Sequence, residues 1–323
     1  MKKLLKPLLW VLGILLLAIL GFATYIHLEG IPEYTYNPSP DILNLKVEPD
    51  SMMVARGEKI AFTLCFGCHQ GEDNRFTGKW MLDAPKEFGQ LYSYNITQHP
   101  EKGIGSWTDG ELFYFLRTGI RKDGSWAPIY MPKLTQLSDE DIKSIIAWLR
   151  SADPRLAPSE SEPSPNQPNF LVKLLTHVAF KAPPVPASPI SLPDTNDLVA
   201  LGRYVANGMA DCYGCHSADF KTMDILNPEK TAGFYGGGNP VLNMEGEVVN
   251  SANITMDEET GIGKWTTAEF IQAVRWGKKQ NGDPLSYPMF PHPNLTDREV
   301  EGIFAYLKTI PKIKNPVSRY QPK

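Results

Sequence analysis

Apolar residues form one long stretch near the N-terminus, at residues 7–26, and only short runs elsewhere. A stretch of about 20 residues is long enough to cross the hydrocarbon core of a membrane as a helix. Lys2, Lys3 and Lys6 precede it, and basic residues on that side favour a cytoplasmic N-terminus. A cleaved signal peptide is the alternative, but its apolar region is usually shorter and ends at a small-residue cleavage site. We predict an uncleaved single-pass anchor at residues 1–30, with the rest of the chain exported.

The remaining apolar positions recur at helical spacing in three segments, each of which has a counterpart later in the chain. The first segment runs into the pentad CFGCH and carries Met53, Gly57, Ile60, Ala61 and Leu64. Two more helices in each half begin at a residue pair typical of a capping box. These pairs are Thr108 with Glu111, Ser138 with Asp141, Thr266 with Glu269, and Thr296 with Glu299. Long β-type alternation is absent from the sequence, which predicts a mainly α-helical chain with long ordered loops.

The chain contains an internal duplication. The stretch NITQHPEKGIGSWTDGELFYFLRTG at residues 95–119 matches NITMDEETGIGKWTTAEFIQAVRWG at residues 253–277 with an offset of 158. The pentads CFGCH and CYGCH are offset by 147, so the second copy has a net insertion of 11 residues, which we place near FYGGGNP. A duplication of this kind predicts two tandem domains of similar structure.

The duplication and the composition together set the domain boundaries. We predict an anchor, a linker, a first domain, a proline-rich linker with an apolar helix, a second domain and a C-terminal tail. Their ranges are 1–30, 31–50, 51–151, 152–195, 196–312 and 313–323. An apolar segment interrupts the proline-rich linker at residues 170–180; it either packs against a domain or lies on the membrane surface.

Charge and cysteine content narrow the possible functions. The formal net charge of the 323-residue chain is −4, and no part of it is basic enough to indicate nucleic-acid binding. All four cysteines lie in the two pentads, so none remains for another site. The pentads supply Cys65, Cys68 and His69, and Cys212, Cys215 and His216.

Three kinds of site use two cysteines at this spacing. A thioredoxin-like redox pair needs a βαβ pattern nearby, and a zinc site needs further Cys or His residues at ligand spacing. The sequence meets neither requirement. The third kind is covalent c-type haem, in which two thiols add to the haem vinyl groups and the adjacent histidine binds the iron. The two pentads therefore predict two covalently bound haem c groups, with His69 and His216 as iron ligands.

The duplication also indicates the sixth iron ligand. Among ten methionines, only Met131 and Met289 are in register at the offset of 158, and both lie in proline-containing loops just before the last helix of their copy. We predict both as axial ligands, with His292 as the rival for the second iron. Arg117 and Arg275, also in register, either pair with haem propionates or face solvent.

These features give the chain a family resemblance. The chain resembles a membrane-anchored dihaem cytochrome c. The resemblance rests on the two pentads, the repeated NIT…GIG.WT..E, the R.G that follows it and the methionine before each final helix. Over roughly residues 51–312 the chain is similar to the cytochrome c electron-transfer subunits of bacterial membrane-bound alcohol, aldehyde and sugar-acid dehydrogenases. The resemblance implies the cytochrome c fold, in which the first and last helices cross near the haem edge, and His/Met ligation of both irons. Those subunits usually carry three haem domains and a C-terminal membrane segment, unlike this chain.

Both the residues and the resemblance indicate an electron-transfer protein rather than an enzyme. An iron whose six positions are filled cannot bind a substrate without losing a ligand, and methionine ligation raises its reduction potential. We expect electrons to pass from a quinol- or substrate-oxidising dehydrogenase toward a terminal oxidase or small cytochrome, at the periplasmic face of a bacterial inner membrane. The alternative is a dihaem enzyme similar to a cytochrome c peroxidase, which needs one open iron position. A haem-based sensor would need a signalling domain.

Overall fold

The computed structural model describes residues 2–81, 84, 88–127 and 130–318. Residues 319–323 of the predicted C-terminal tail, and seven residues of the predicted domain 51–151, lie outside the described residues. The helices are α1 Lys2–Glu29, α2 Pro40–Leu43, α3 Ser51–Leu64, α4 Phe66–His69, α5 Asp109–Thr118, α6 Asp139–Leu149, α7 Phe170–Val178, α8 Leu198–Tyr204, α9 Cys212–His216, α10 Thr267–Trp276 and α11 Asp297–Leu307.

Short elements complete the chain. A π-helix spans Val205–Met209, and 3₁₀-helices span Pro154–Leu156, Phe220–Thr222 and Pro228–Lys230. Two antiparallel ladders pair β1 (Gly89–Gln90) with β2 (Gln167–Pro168) and β3 (Pro240–Leu242) with β4 (Val248–Asn250). The prediction of a mainly α-helical chain is confirmed. We call residues 51–151 the first unit and residues 196–312 the second unit.

Helix α1 is the one helix among the described residues that is long and apolar enough to cross a membrane. Its apolar side chains are exposed over most of its length, with Ile26 near its end buried. The end of α1 contacts α7, where Lys173 Nζ donates to the carbonyl of His27 at 3.2 Å and His177 Nε2 donates to that of Gly30 at 3.1 Å. An exposed apolar helix suits a membrane anchor.

In the first unit, α3 crosses α6 with the two backbones in contact. Gly57 lies against Ser144, and a Cβ built on this glycine would lie 1.9 Å from the Ser144 carbonyl oxygen. Around the crossing, α3 buries Ile60 and Ala61, and α6 buries Trp148. Only a residue without a side chain permits so close an approach.

The second unit repeats this crossing with α8 and α11. Here a Cβ on Gly202 would lie 1.8 Å from the carbonyl oxygen of Gly302, the in-register counterpart of Ser144. Gly202 precedes its pentad by two residues more than Gly57 does. The two extra residues are accommodated between Gly202 and the pentad. This segment contains the π-helix at Val205–Met209 and also Asp211, whose φ is 45°.

The linkers pack against the first unit. Residues 31–50 run along α5, where Tyr36 makes an edge contact with Tyr114 at 5.1 Å between ring centroids. The apolar segment of the proline-rich linker forms α7, and its Val172 is buried with Phe88 and Leu91 of the first unit. This segment therefore packs on protein, one of the two outcomes considered from the sequence.

A buried polar joint connects the two units. Asp141 of α6 is fully buried and accepts hydrogen bonds from Arg56 Nη2 at 2.8 Å and from the hydroxyl of Tyr204, in the second unit, at 2.6 Å. Beside it, Lys59 of α3 donates to Glu299 of α11 at 2.5 and 2.6 Å. Residues of both units share one continuous apolar core. The units therefore pack as one body.

The close helix crossings generate a first prediction. Replacing Gly57 or Gly202 by Ala places a methyl group inside the van der Waals radius of a backbone carbonyl, so the helices must separate. We expect each variant to lower the free energy of unfolding by about 1 to 3 kcal/mol, measured by guanidinium chloride denaturation. Far-UV circular dichroism controls for retained helix content. An unchanged denaturation midpoint would contradict the crossing geometry.

The Lys59–Glu299 pair generates a second prediction. Burial by itself raises the pKa of Glu299, but hydrogen bonds from Lys59 and from the Thr296 backbone lower it below the ordinary value. Because the folded pKa is depressed, the stabilisation exists above the unfolded pKa and disappears as pH falls through the folded one. Replacing Lys59 by Met should therefore cost about 1 kcal/mol at pH 7 and less near pH 3, by urea denaturation.

The exposed pair Lys314–Glu259 provides the control for this experiment. Both of its side chains are about two-thirds exposed, at 66% and 69%. Exposed pairs contribute little because water and salt screen them, so Lys314→Met should change stability by less than about 0.5 kcal/mol at either pH. A pH-independent effect of Lys59→Met would show that the ion pair does not stabilise the joint.

Candidate functional site

The two pentads hold their histidines in the same way. Nδ1 of His69 lies 2.8 Å from the carbonyl oxygen of Tyr94, and Nδ1 of His216 lies 2.8 Å from that of Ala252. A carbonyl oxygen only accepts, so Nδ1 carries the proton in both rings and Nε2 keeps its lone pair. Burial lowers the pKa of both histidines, which keeps the rings neutral at pH 7. Each site therefore presents one imidazole nitrogen ready to bind a metal.

The repeated NIT sequence explains why these carbonyls are in place. Tyr94 and Ala252 directly precede Asn95 and Asn253. The side-chain oxygen of each asparagine accepts from the backbone N–H two residues on, at 2.9 Å in both units. Its amide group donates to the chain that follows the last helix, at 2.9 Å to Ser159 and 2.7 Å to Ile313. The asparagines therefore fix the segment that orients each histidine.

A glycine in each unit binds the backbone carbonyl of the pentad histidine. The backbone N–H of Gly78 donates to the His69 carbonyl at 3.0 Å, and that of Gly237 donates to the His216 carbonyl at 2.8 Å. Both glycines have positive φ, of 78° and 70°. A Cβ at either position would lie within 2.4 Å of backbone atoms of the segment that orients the histidine. The internal duplication does not reveal these two glycines, because the loops that carry them differ in length.

The first cysteine of each pentad packs at the edge of the apolar core. Cys65 and Cys212 contact the shared core, while Cys215 is exposed. Burial raises the pKa of Cys65 and of Cys212 to about 12, so these thiols are protonated at neutral pH. Reactive or metal-binding cysteines have lowered pKa values instead. The first cysteine of each pentad is therefore not a reactive thiolate at neutral pH.

The predicted methionine ligands lie on the loops that lead into α6 and α11. Met131 is half-buried, and its carbonyl accepts from Lys133 Nζ at 2.7 Å. Met289 is also half-buried, and its backbone N–H donates to the carbonyl of Ser286 at 3.1 Å. Both loops are thus held through backbone groups.

Arg117 and Arg275 fix these loops from the end of α5 and α10. Arg117 is fully buried, and its Nη1 donates to the carbonyls of Leu134 and Leu137 at 2.6 and 2.8 Å while its Nη2 pairs with Asp139. Arg275 repeats the arrangement with the carbonyl of Pro293, at 3.1 Å, and with Asp297. Neither arginine is solvent-facing, because each guanidinium binds the segment between methionine and helix.

The donor set at each pentad fits a haem. In the part of the chain that the structure describes, no three His, Cys, Asp or Glu side chains converge to hold a bare metal ion. One neutral imidazole per pentad suits an iron whose equatorial bonds come from a porphyrin. Among the described residues, the Nε atoms of Arg117 and Arg275 are buried without a hydrogen-bond partner, in register in the two units. Such donors suit an acidic group of a bound cofactor.

Comparison with known proteins agrees with this geometry. Residues 54–153 match the cytochrome c family. The chain is 26% identical over 278 residues to the cytochrome c subunit of a quinone-dependent alcohol dehydrogenase from Gluconobacter oxydans, covering 82% of this chain and 56% of that protein. It is 30% identical over 270 residues to the cytochrome subunit of fructose dehydrogenase from Gluconobacter japonicus, covering 80% and 52%. The chain thus spans little more than half of these relatives.

A shorter relative matches over most of its own length. The chain is 25% identical over 272 residues to a dihaem cytochrome c-type protein from Cereibacter sphaeroides, covering 80% of this chain and 86% of that protein. The resemblance to cytochrome c subunits of membrane dehydrogenases that the motifs indicate is confirmed.

The arginines generate the third prediction. Replacing Arg117 by Met leaves two buried carbonyls and Asp139 without their donor, and each unsatisfied buried group costs about 1 to 3 kcal/mol. We expect Arg117→Met to lower the free energy of unfolding by about 3 kcal/mol, measured by denaturant titration of the intact protein. Arg275→Met is the matched variant and should cost less, because Arg275 is 18% exposed and makes a single carbonyl contact. Equal losses would contradict this assignment.

Proposed function

We propose that this chain, whose residues 54–153 form a cytochrome c domain, is a membrane-anchored dihaem c-type cytochrome that transfers electrons. It receives them from a quinol- or substrate-oxidising dehydrogenase and passes them to a terminal oxidase or another cytochrome. It acts at the periplasmic face of a bacterial inner membrane, where α1 anchors it. The observation that carries the proposal is the repeated histidine geometry, with Nδ1 bound to a carbonyl and Nε2 free in both units.

Each unit supplies a full set of residues for one haem. Haem c, when bound, supplies a one-electron iron couple. The two cysteines would attach it through thioether bonds, and the histidine and the methionine would supply the two protein ligands to its iron. The sets are Cys65, Cys68, His69 and Met131 in the first unit and Cys212, Cys215, His216 and Met289 in the second. An iron held by both of these protein ligands would have no open position for a substrate, which would favour outer-sphere electron transfer over substrate chemistry.

The joint between the units supports electron transfer within the chain. Cys65 and Cys212 contact the same continuous apolar core, and the Asp141 hydrogen bonds and the Lys59–Glu299 pair hold the units together. A rigid joint keeps the separation of the two sites constant. Electrons that enter one unit can then pass to the other without a docking step.

The dehydrogenase partner is proposed from the relatives and from the anchor. The alcohol and fructose dehydrogenase proteins are named as cytochrome subunits of such enzymes. Helix α1 would keep this chain at the membrane surface, close to other membrane-bound redox proteins. Redox partners commonly meet through small, transient interfaces, so a stable complex is not required for electron transfer.

Carbon monoxide binding tests the proposal and gives the fourth prediction. The reduced wild-type protein, carrying two haems per chain by pyridine haemochrome assay, should show no spectral change with carbon monoxide, because all axial positions are filled. Met131→Leu removes one axial ligand, and half of the haem should then bind carbon monoxide. Leucine preserves the volume of the side chain, so the fold should be retained.

The wild-type result separates an electron carrier from an enzyme. If half of the wild-type haem binds carbon monoxide, one iron has an open position and a peroxidase-like enzyme replaces the proposal. The haem count serves as the control for each variant. One haem per chain would contradict the two-site assignment directly.

A further inference from the structure

Position 292 is one of the positions at which the two methionine loops differ chemically. The offset that aligns Met131 with Met289 also aligns Leu134 with His292. The backbone is the same at both positions: Leu134 N–H donates to the Leu116 carbonyl at 2.8 Å, and His292 N–H donates to the Val274 carbonyl, also at 2.8 Å. The two side chains therefore start from equivalent places, and only the second unit carries an imidazole there.

The imidazole of His292 is buried and lacks a partner for one nitrogen. It is 8% exposed, and within the described part of the chain its Nδ1 finds no hydrogen-bond partner. The nearest ring is apolar, Phe290 at 4.8 Å between centroids. A buried polar atom without a partner costs about 1 to 3 kcal/mol, so an imidazole is a poor substitute for leucine as a packing residue alone.

His292 also lies within electrostatic reach of the second pentad. Burial, and then repulsion from the His216 ring when that ring is protonated, lower the pKa of His292 to about 4. The ring is therefore neutral at pH 7 and has a lone pair available. His292 follows Met289 by three residues, on the segment that Arg275 holds at the Pro293 carbonyl.

We propose that His292 is a reserve ligand for the iron of the second haem, which binds when Met289 leaves. This inference rests on the proposed function. In the exchange, the bond from sulfur breaks and a bond from an imidazole nitrogen forms; each donor supplies its own lone pair, so no electron or proton is transferred. Loss of the thioether lowers the reduction potential, because methionine ligation raises it. In the first unit the equivalent position is Leu134, whose side chain has no lone pair to bind iron.

Carbon monoxide binding to three variants of the full-length holoprotein provides the fifth prediction. Met131→Leu should open the first haem, so that half of the haem binds carbon monoxide. Met289→Leu should leave the second haem closed, with a low-spin ferric spectrum that lacks the charge-transfer band of a sulfur–iron bond. The double variant Met289→Leu/His292→Leu should open the second haem, because it reproduces the leucine of the first unit.

Each outcome has a separate meaning. If Met289→Leu binds carbon monoxide as fully as the double variant does, His292 is not a ligand and the inference is overturned, while the proposed function stands. If the wild-type protein already binds carbon monoxide at one haem, the proposed function fails. The double variant should fold, because the equivalent pocket of the first unit holds leucine.

Discussion

The contact between Gly57 of α3 and the backbone of Ser144 in α6 sets the geometry of the first unit. Helix α3 leads directly into the pentad, and α6 begins directly after the loop that carries Met131. A crossing without an intervening side chain fixes one helix against the other, and thereby fixes the pentad against the methionine loop. The second unit meets the same requirement with Gly202 and Gly302. The site therefore depends on backbone contacts several turns away from its ligands.

The joint between the units imposes a second constraint. The carboxylate of Asp141 is fully buried, and it is stable there because Arg56 and Tyr204 supply hydrogen bonds. Arg56 and Asp141 belong to the first unit and Tyr204 to the second, so the carboxylate is paired within the first unit and gains a further hydrogen bond when the units pack together. Across the joint, the Lys59–Glu299 ion pair favours one arrangement of the units over others, because displacing the units separates the two charges.

Much of this architecture could be predicted from the sequence. The capping boxes at Thr108, Thr266 and Thr296 are confirmed, since helix-start chemistry is local. The capping box predicted at Ser138 is confirmed in one hydrogen bond, because Ser138 Oγ accepts from the Asp141 N–H. Its second hydrogen bond is wrong. The Asp141 carboxylate lies in the joint between the units, and the Ser138 N–H donates to the Tyr204 hydroxyl instead. That choice depends on a residue 66 positions away, which no local pattern contains. The predicted axial methionines stay predictions.

The two units differ in the residues just before their pentads, although the duplication gives both the same ligand pattern. The second pentad follows a π-helix whose Asn207 binds the hydroxyls of Tyr235 and Tyr306, and Asp211 occupies the place of Leu64 before the first cysteine. The second site therefore carries a carboxyl group directly before its first cysteine, where the first site carries an apolar side chain. The polarity of its surroundings is one of the properties that set the potential of a bound haem. The two copies of the fold thus present sites with the same ligand pattern and different surroundings. Each site can therefore give a bound haem its own reduction potential.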